Sequence, residues 1–119
     1  LAYAISKYAG LQMCKAINMQ RKSVVFIPVI PNSVYGINDN FDLNSAHVLS
    51  SLISRFHNAK DKNMPYIELW GTGEPKREFV YVDDLVEACL AVLNTSHLND
   101  DLPINIGVGE DISIKLLRI

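Results

Sequence analysis

Tyr3 and Lys7 put a phenol and an ammonium four residues apart, and on a helix that spacing stacks the two heads one turn apart on one face. The pairing answers a chemical need. A free phenol titrates near pH ~10 and is a poor partner in rapid proton transfer at neutral pH, whereas a neighbouring cation favours the phenolate. A tyrosine tuned in this way can protonate a growing alkoxide. Taken alone, however, the Tyr-x-x-x-Lys spacing is common and reads more simply as a half-buried tyrosine beside a solvated lysine.

Composition narrows the class of protein. With 119 residues, 49% hydrophobic, 20% charged and a net charge of −2, the chain reads as soluble and globular, without the general basic field that nucleic acid would require. The longest apolar run, Val24 to Ile30, is too short to span a bilayer and contains Pro28, so no membrane partner is expected. Cys14 and Cys89 fall in helical patterns without metal-ligand spacing. They read as reduced core thiols of a cytoplasmic protein, and no metal site is expected. A start at Leu1 and a helix-like run over residues 113–119 make the sequence look cut at both ends.

The elements that would position Tyr3 and Lys7 follow from periodicity. A helix is expected from Tyr3 to about Met19, with Ile5, Ala9, Met13 and Ala16 on one stripe and Tyr3, Lys7, Gly10 and Cys14 roughly opposite. Such a helix should be covered on both sides, with a close neighbour giving Gly10 a purpose. Residues 24–30 read as a buried strand, although Pro28 argues against a fully paired central position. Residues 31–40 read as a long polar connection at that strand's end, where open α/β sheets bind ligands. Ser45 is expected to cap a second helix with Leu49, Leu52, Ile53 and Phe56 as its apolar stripe and His47 in its first turn. Residues 66–70 read as a short strand, residues 71–75 as a turn and residues 77–82 as extended chain. Asp84 and Glu87 have capping-box spacing for a third helix buried along Leu85, Cys89 and Val92. Residues 103–106 read as another strand, and Ser113 as the cap of a last helix. Alternating strands and helices predict an α/β fold with a largely parallel sheet.

Two glycine clusters imitate a cofactor loop. Gly107-Val108-Gly109 lacks the third glycine, has Ile112 in its place, and is followed by Glu110 and Asp111, which would repel a pyrophosphate. Gly71-Thr72-Gly73 leads to Pro75 and extended chain rather than to a helix. Neither is expected to bind a dinucleotide.

Tyr3 and Lys7, the stretch from Pro31 to Gly36, the Asp39-Asn40-Phe41 turn and the run from Arg77 to Asp84 stand in an order and spacing that resembles the extended short-chain dehydrogenase/reductase family over nearly the whole chain. Asp39-Asn40-Phe41, Ser45-Ala46-His47-Val48, Arg55-Phe56-His57 and Trp70-Gly71-Thr72-Gly73 are similar to the branch that acts on GDP-linked 4-keto sugars. The resemblance implies the second half of a Rossmann-like, largely parallel sheet with part of a smaller substrate lobe. Residues 1–36 and 83–108 would belong to the cofactor domain, and residues 37–82 and 109–119 to the lobe.

The resemblance also implies an NADP-dependent enzyme that inverts the two carbons flanking a ketone and then reduces the ketone. Tyr3 and Lys7 would serve the reduction and touch the cofactor, together with Pro31, Asn32, Ser33, Val34 and His47. His47 would be the acid of the epimerisation, and Arg55, Trp70 and Arg77 would bind the GDP-sugar. His57 and His97 match no such role, and Asp83 and Asp84 are assigned to helix capping. Ser33 stands where relatives usually carry asparagine, with Asn32 one position earlier, and Ile37 stands where many have proline. The glycine-rich loop, a serine and the cysteine base would lie ahead of Leu1, so neither Cys14 nor Cys89 takes that role. A homodimer is expected of the parent enzyme. The alternatives are another nucleotide-sugar epimerase, dehydratase or reductase on the same fold, or a non-catalytic remnant.

Overall fold

With no proline and a single mid-segment glycine to interrupt it, the first stretch of the chain forms one long helix. In the computed structural model, which describes residues 1–95 and 102–117, α1 (Ala2–Arg21) runs for 20 residues, a rod of about 30 Å. Lys22 ends it in the left-handed region at φ 52°, and its N–H closes onto the Asn18 and Met19 carbonyls. The expected coverage on both sides is not found. Leu11, Cys14 and Ile17 are half-covered and Asn18 is buried, on the side continuing from Tyr3 and Lys7, whereas Ile5 and Met13 are exposed. Gly10 has no neighbour that a side chain there would meet.

The strand expected over residues 24–30 shrinks to β1 (Val29–Pro31). Asn18 supplies the reason. Its Oδ1 accepts from the Val25 and Phe26 N–H groups at 2.9 Å, and its Nδ2 donates to the Phe26 carbonyl at 2.8 Å. A helix side chain thus takes the bonds that a neighbouring strand would otherwise make. The polar connection expected after it is partly strand as well, because β2 (Ser33–Tyr35) follows directly. Residues 66–70 form no strand; Arg55 Nη1 donates to the Glu68 carbonyl at 3.3 Å there.

Beyond them come α2 (Val48–Asp61), β3 (Lys76–Arg77), β4 (Phe79–Tyr81), α3 (Val82–Leu93), β5 (Ile104–Ile106) and β6 (Ile112–Ser113). β1 pairs in parallel with β5 and β2 in parallel with β4, while β3 and β6 are antiparallel. This is the expected α/β arrangement with parallel pairing. Leu52 and Ala59 of α2, Val80 of β4 and Ile106 of β5 are the buried apolar side chains among the described residues. The radius of gyration is 18.4 Å with extents of 61 × 30 × 26 Å, against about 13.5 Å for a compact domain of this length.

Three helix starts differ from expectation. His47, not Ser45, is the N-cap of α2, at φ −67° and ψ 162° with no side-chain cap bond, so His47 lies just outside the first turn. Ser45 is engaged in the preceding turn, where its Oγ donates to Asp42 Oδ1 and accepts from Asn40 Nδ2, both at 3.0 Å. Tyr81 closes β4 and is also the N-cap of α3, so that helix starts before the Asp84–Glu87 box can cap it. Asp83 and Asp84 occupy its first turn, where carboxylates suit the positive helix end. Ser113 precedes only a 3₁₀ turn, Ile114–Leu116, without a side-chain cap bond. His97 and the last two residues lie outside the described residues.

Candidate active site

A cavity of about 1010 Å³ opens between α1, the β1–β2 seam, the start of α2 and the β3–β4 edge. Tyr3 and Lys7 reach it from α1, residues 31–34 from the seam, His47 from the α2 cap and Arg77 from the end of β3. Helical spacing does for the first pair what the sequence requires of it: Lys7 Nζ lies 5.6 Å from the centre of the Tyr3 ring. Tyr3 is 75% exposed, leaving its hydroxyl open to a ligand.

Arg55 and Trp70 stand apart from this group, in a smaller cavity of about 300 Å³ that shares Val48 with the first. The Arg55 guanidinium carbon lies 5.0 Å from the centre of the Trp70 ring. Ser51 Oγ and the Glu68 carbonyl each accept from Arg55 at 3.3 Å, which fixes the direction of the guanidinium. Trp70 is 80% exposed and is not a core aromatic. The pair presents a cation and a flat apolar face side by side.

His47 projects from an exposed helix cap whose surroundings sequence reasoning passed over. The Asp39 carboxylate accepts from Ser50 Oγ, in the first turn of α2, and from the Asn40 N–H at 2.7 Å. The bond from Ser50 and then that from the Asn40 amide hold the Asp39 carboxyl below its ordinary value of 3.8, with the charge of His47 as a lesser cause. Ser50 is almost fully buried. A turn aspartate eleven positions before a helix serine gives no local signal of such a bond.

Glu78 was also missed. Asn32 Nδ2 donates to one oxygen of its carboxylate, and the Gly109 N–H donates to the other at 2.7 Å. Asn32 therefore reaches Glu78 across 46 positions of sequence, while Ser33 lies in β2.

The residues present fit the nicotinamide-ribose end of a dinucleotide, with an ammonium at Lys7 and polar groups at Asn32 and Ser33 around one open cavity. They do not offer a pyrophosphate cradle at Gly107-Val108-Gly109, because the Gly109 amide is occupied by a carboxylate. Among the described residues no His, Cys, Asp and Glu cluster is able to hold a metal ion, and no helix is long and apolar enough to cross a membrane.

Parallel α/β pairing with a tyrosine–lysine helix beside a strand-end cavity defines a dehydrogenase/epimerase class of protein. Residues 1–107 match the NAD dependent epimerase/dehydratase family, and the chain belongs to it. It is 42% identical over 116 residues to GDP-L-fucose synthase 1 of Arabidopsis thaliana, an alignment covering 97% of this chain and 35% of that protein. Two crystal structures of a GDP-L-fucose synthetase from Naegleria fowleri, the second bound to NADP, superimpose with TM-scores of 0.82 and 0.80 at 26% identity, over 95% of this chain and 36% of theirs. A GDP-D-glycero-L-gluco-heptose synthase from Campylobacter jejuni, crystallised in the presence of NADPH, superimposes with a TM-score of 0.71 at 30% identity, over 91% of this chain and 42% of that one. The chain spans about a third of the length of the curated relatives it matches.

Proposed function

We propose that this chain is the tyrosine–lysine part of the catalytic domain of an enzyme that converts GDP-4-keto-6-deoxy-D-mannose into GDP-L-fucose by 3,5-epimerisation and 4-keto reduction with NADPH. The observation that carries this reading is the single cavity gathering Tyr3, Lys7, residues 31–34, His47 and Arg77. The names of the relatives support the choice of substrate.

Bound NADPH supplies the hydride for C4. Tyr3 hands its phenolic proton to the oxygen at C4, and Lys7, beside the ring, steadies the charge left on the phenol and holds ribose hydroxyls. Pro31, Asn32, Ser33 and Val34 form the wall against which the nicotinamide end is oriented. In the epimerisation His47 returns a proton to the carbon beside the ketone on the face opposite its loss. Arg77 and Arg55 hold the diphosphate, and Trp70 packs against a ring of the nucleotide. Residues 1–36 and 83–108 serve the cofactor side, and residues 37–82 and 109–119 the sugar side. The enzyme is cytoplasmic and homodimeric in this reading; the exposed apolar side chains Ile5 and Met13 of α1 support the pairing.

The test is to incubate the full-length enzyme carrying this chain with GDP-4-keto-6-deoxy-D-mannose and NADPH. One NADPH oxidised per GDP-L-fucose formed is the expected result, and no turnover of this substrate overturns it. A second reading, a C4 reductase without epimerisation, draws on the likeness to a GDP-mannoheptose C4 reductase from Campylobacter jejuni, 29% identical with a TM-score of 0.70. Reduced but uninverted sugar would select it.

A further inference from the structure

Glu78 lies between two residues that line the main cavity, Arg77 and Phe79, yet does not line it itself. Its carboxylate turns instead to Asn32, which does line the cavity, and to the Gly109 amide. The bonds lie where the chain passes from one two-stranded sheet to another. Residues 29–31 pair with β5 and residues 33–35 with β4, and Asn32 spans the change of partner. Its N–H donates to the Ile106 carbonyl at 3.1 Å, and the Ser33 N–H donates to the Glu78 carbonyl at 3.2 Å. The side chains complete the junction, with Asn32 Nδ2 donating to one Glu78 oxygen and the Gly109 N–H to the other. The fit leaves no room at Gly107, where a Cβ would collide with both Glu78 Oε1 and Asn32 Nδ2. Among the described residues Glu78 has no ion-pair partner, so N–H donors alone hold its charge.

We propose that Glu78 is a positioning residue: it clamps Asn32 of the cavity wall to the Gly107–Gly109 turn, and so fixes where Arg77 stands relative to residues 32–34. The proposal rests on the function above, because what it positions is the nucleotide-binding arginine against the cofactor wall. Glu78 touches neither ligand.

Two measurements on the full-length enzyme test it. The first needs no substrate: amide hydrogen exchange over residues 107–109 should quicken at least about tenfold in Glu78→Ala, through loss of the bond to Gly109, and recover in Glu78→Gln, which keeps an acceptor there. Unchanged exchange in Glu78→Ala overturns the clamp whatever the enzyme's substrate proves to be. The second is kinetic. Glu78→Ala and Asn32→Ala should each raise the KM for the GDP-sugar about tenfold, the double variant should be no worse than either, and Glu78→Gln should restore most of the loss. If Glu78→Ala fails to fold, the exposed Asn32→Ala carries the test alone, and an unchanged sugar KM there overturns the proposal. Independent, multiplying effects of the two substitutions overturn it too. Absence of turnover by the wild type would instead count against the proposed function, leaving the exchange result to judge the clamp.

Discussion

Lys7 Nζ lies 5.6 Å from the centre of the Tyr3 ring, one helical turn along α1. A cation held against a phenol stabilises negative charge on that phenol's oxygen as its proton leaves. In the full-length enzyme Tyr3→Phe should lower kcat for ketone reduction about a hundredfold or more, with the sugar KM little changed, because the hydroxyl acts on charge that develops in the transition state. Lys7→Met should lower kcat and raise the KM for NADPH as well. Steady-state kinetics separates the two outcomes. A Tyr3→Phe enzyme within about tenfold of wild type, ~1.4 kcal/mol of barrier, would remove the residue from the chemistry.

Arg55 and Trp70 make a second prediction, since a guanidinium 5.0 Å from an exposed indole contributes little to folding. An exposed pair of this kind is worth about 0.5–1 kcal/mol. Arg55→Ala and Trp70→Ala should therefore each leave the melting temperature within a few degrees of wild type, while raising the GDP-sugar KM about tenfold. Calorimetry and kinetics on the same preparations check this. Full stability with an unchanged KM would make both residues ordinary surface.

The bond from Ser50 to Asp39 has a signature in acid. Because the Asp39 carboxyl sits below its ordinary value when folded, it contributes stability above its unfolded value near pH ~4, and that contribution is lost as pH falls through the folded value. Ser50→Ala removes the first cause of the depression and should cost about 1–2 kcal/mol at neutral pH. The difference from wild type should narrow on acidification. Urea unfolding across that range measures it, and a gap that stays constant with pH would show that the hydroxyl does not act on the carboxylate.

What the sequence made legible is local. Tyr3 and Lys7 meet because a helix repeats every turn, and the α2 stripe of Leu49, Leu52, Ile53 and Phe56 is half-buried or buried for the same reason. Non-local bonds were invisible. Asn18 reaches across the helix end to take the backbone of Val25 and Phe26, which leaves the first part of an apolar run that reads as strand outside the ladder that begins at Val29. Ser45 has the side chain of a helix cap, but Asn40 and Asp42 claim its hydroxyl, and the cap passes to His47. Glu78 and Asn32 are 46 positions apart, and no spacing rule joins them. Motifs named residues 31–34 of the cavity wall, yet not the bonds from Asn32 and Gly109 to Glu78 that hold it.

His47 offers the sharpest test because its position separates the two half-reactions. It is the N-cap of α2 and lines the cavity that holds Tyr3 and Lys7. Hydride delivery to C4 needs a proton only for the oxygen there, which Tyr3 supplies, whereas inversion at C3 and C5 needs an acid to return protons to carbon. Asparagine is among the best N-cap residues, so His47→Asn keeps the start of α2 while removing the imidazole. In deuterated water without NADPH, the wild-type enzyme should wash deuterium into C3 and C5 of GDP-4-keto-6-deoxy-D-mannose. The variant should do so about a hundredfold to ten-thousandfold more slowly, the usual contribution of acid catalysis, and should give partly inverted sugars once NADPH is added. Mass spectrometry of the recovered sugar reads both effects. Unchanged deuterium uptake with a fully inverted product would take the acid role from His47, and the C4 reductase would then be the better reading of this cavity.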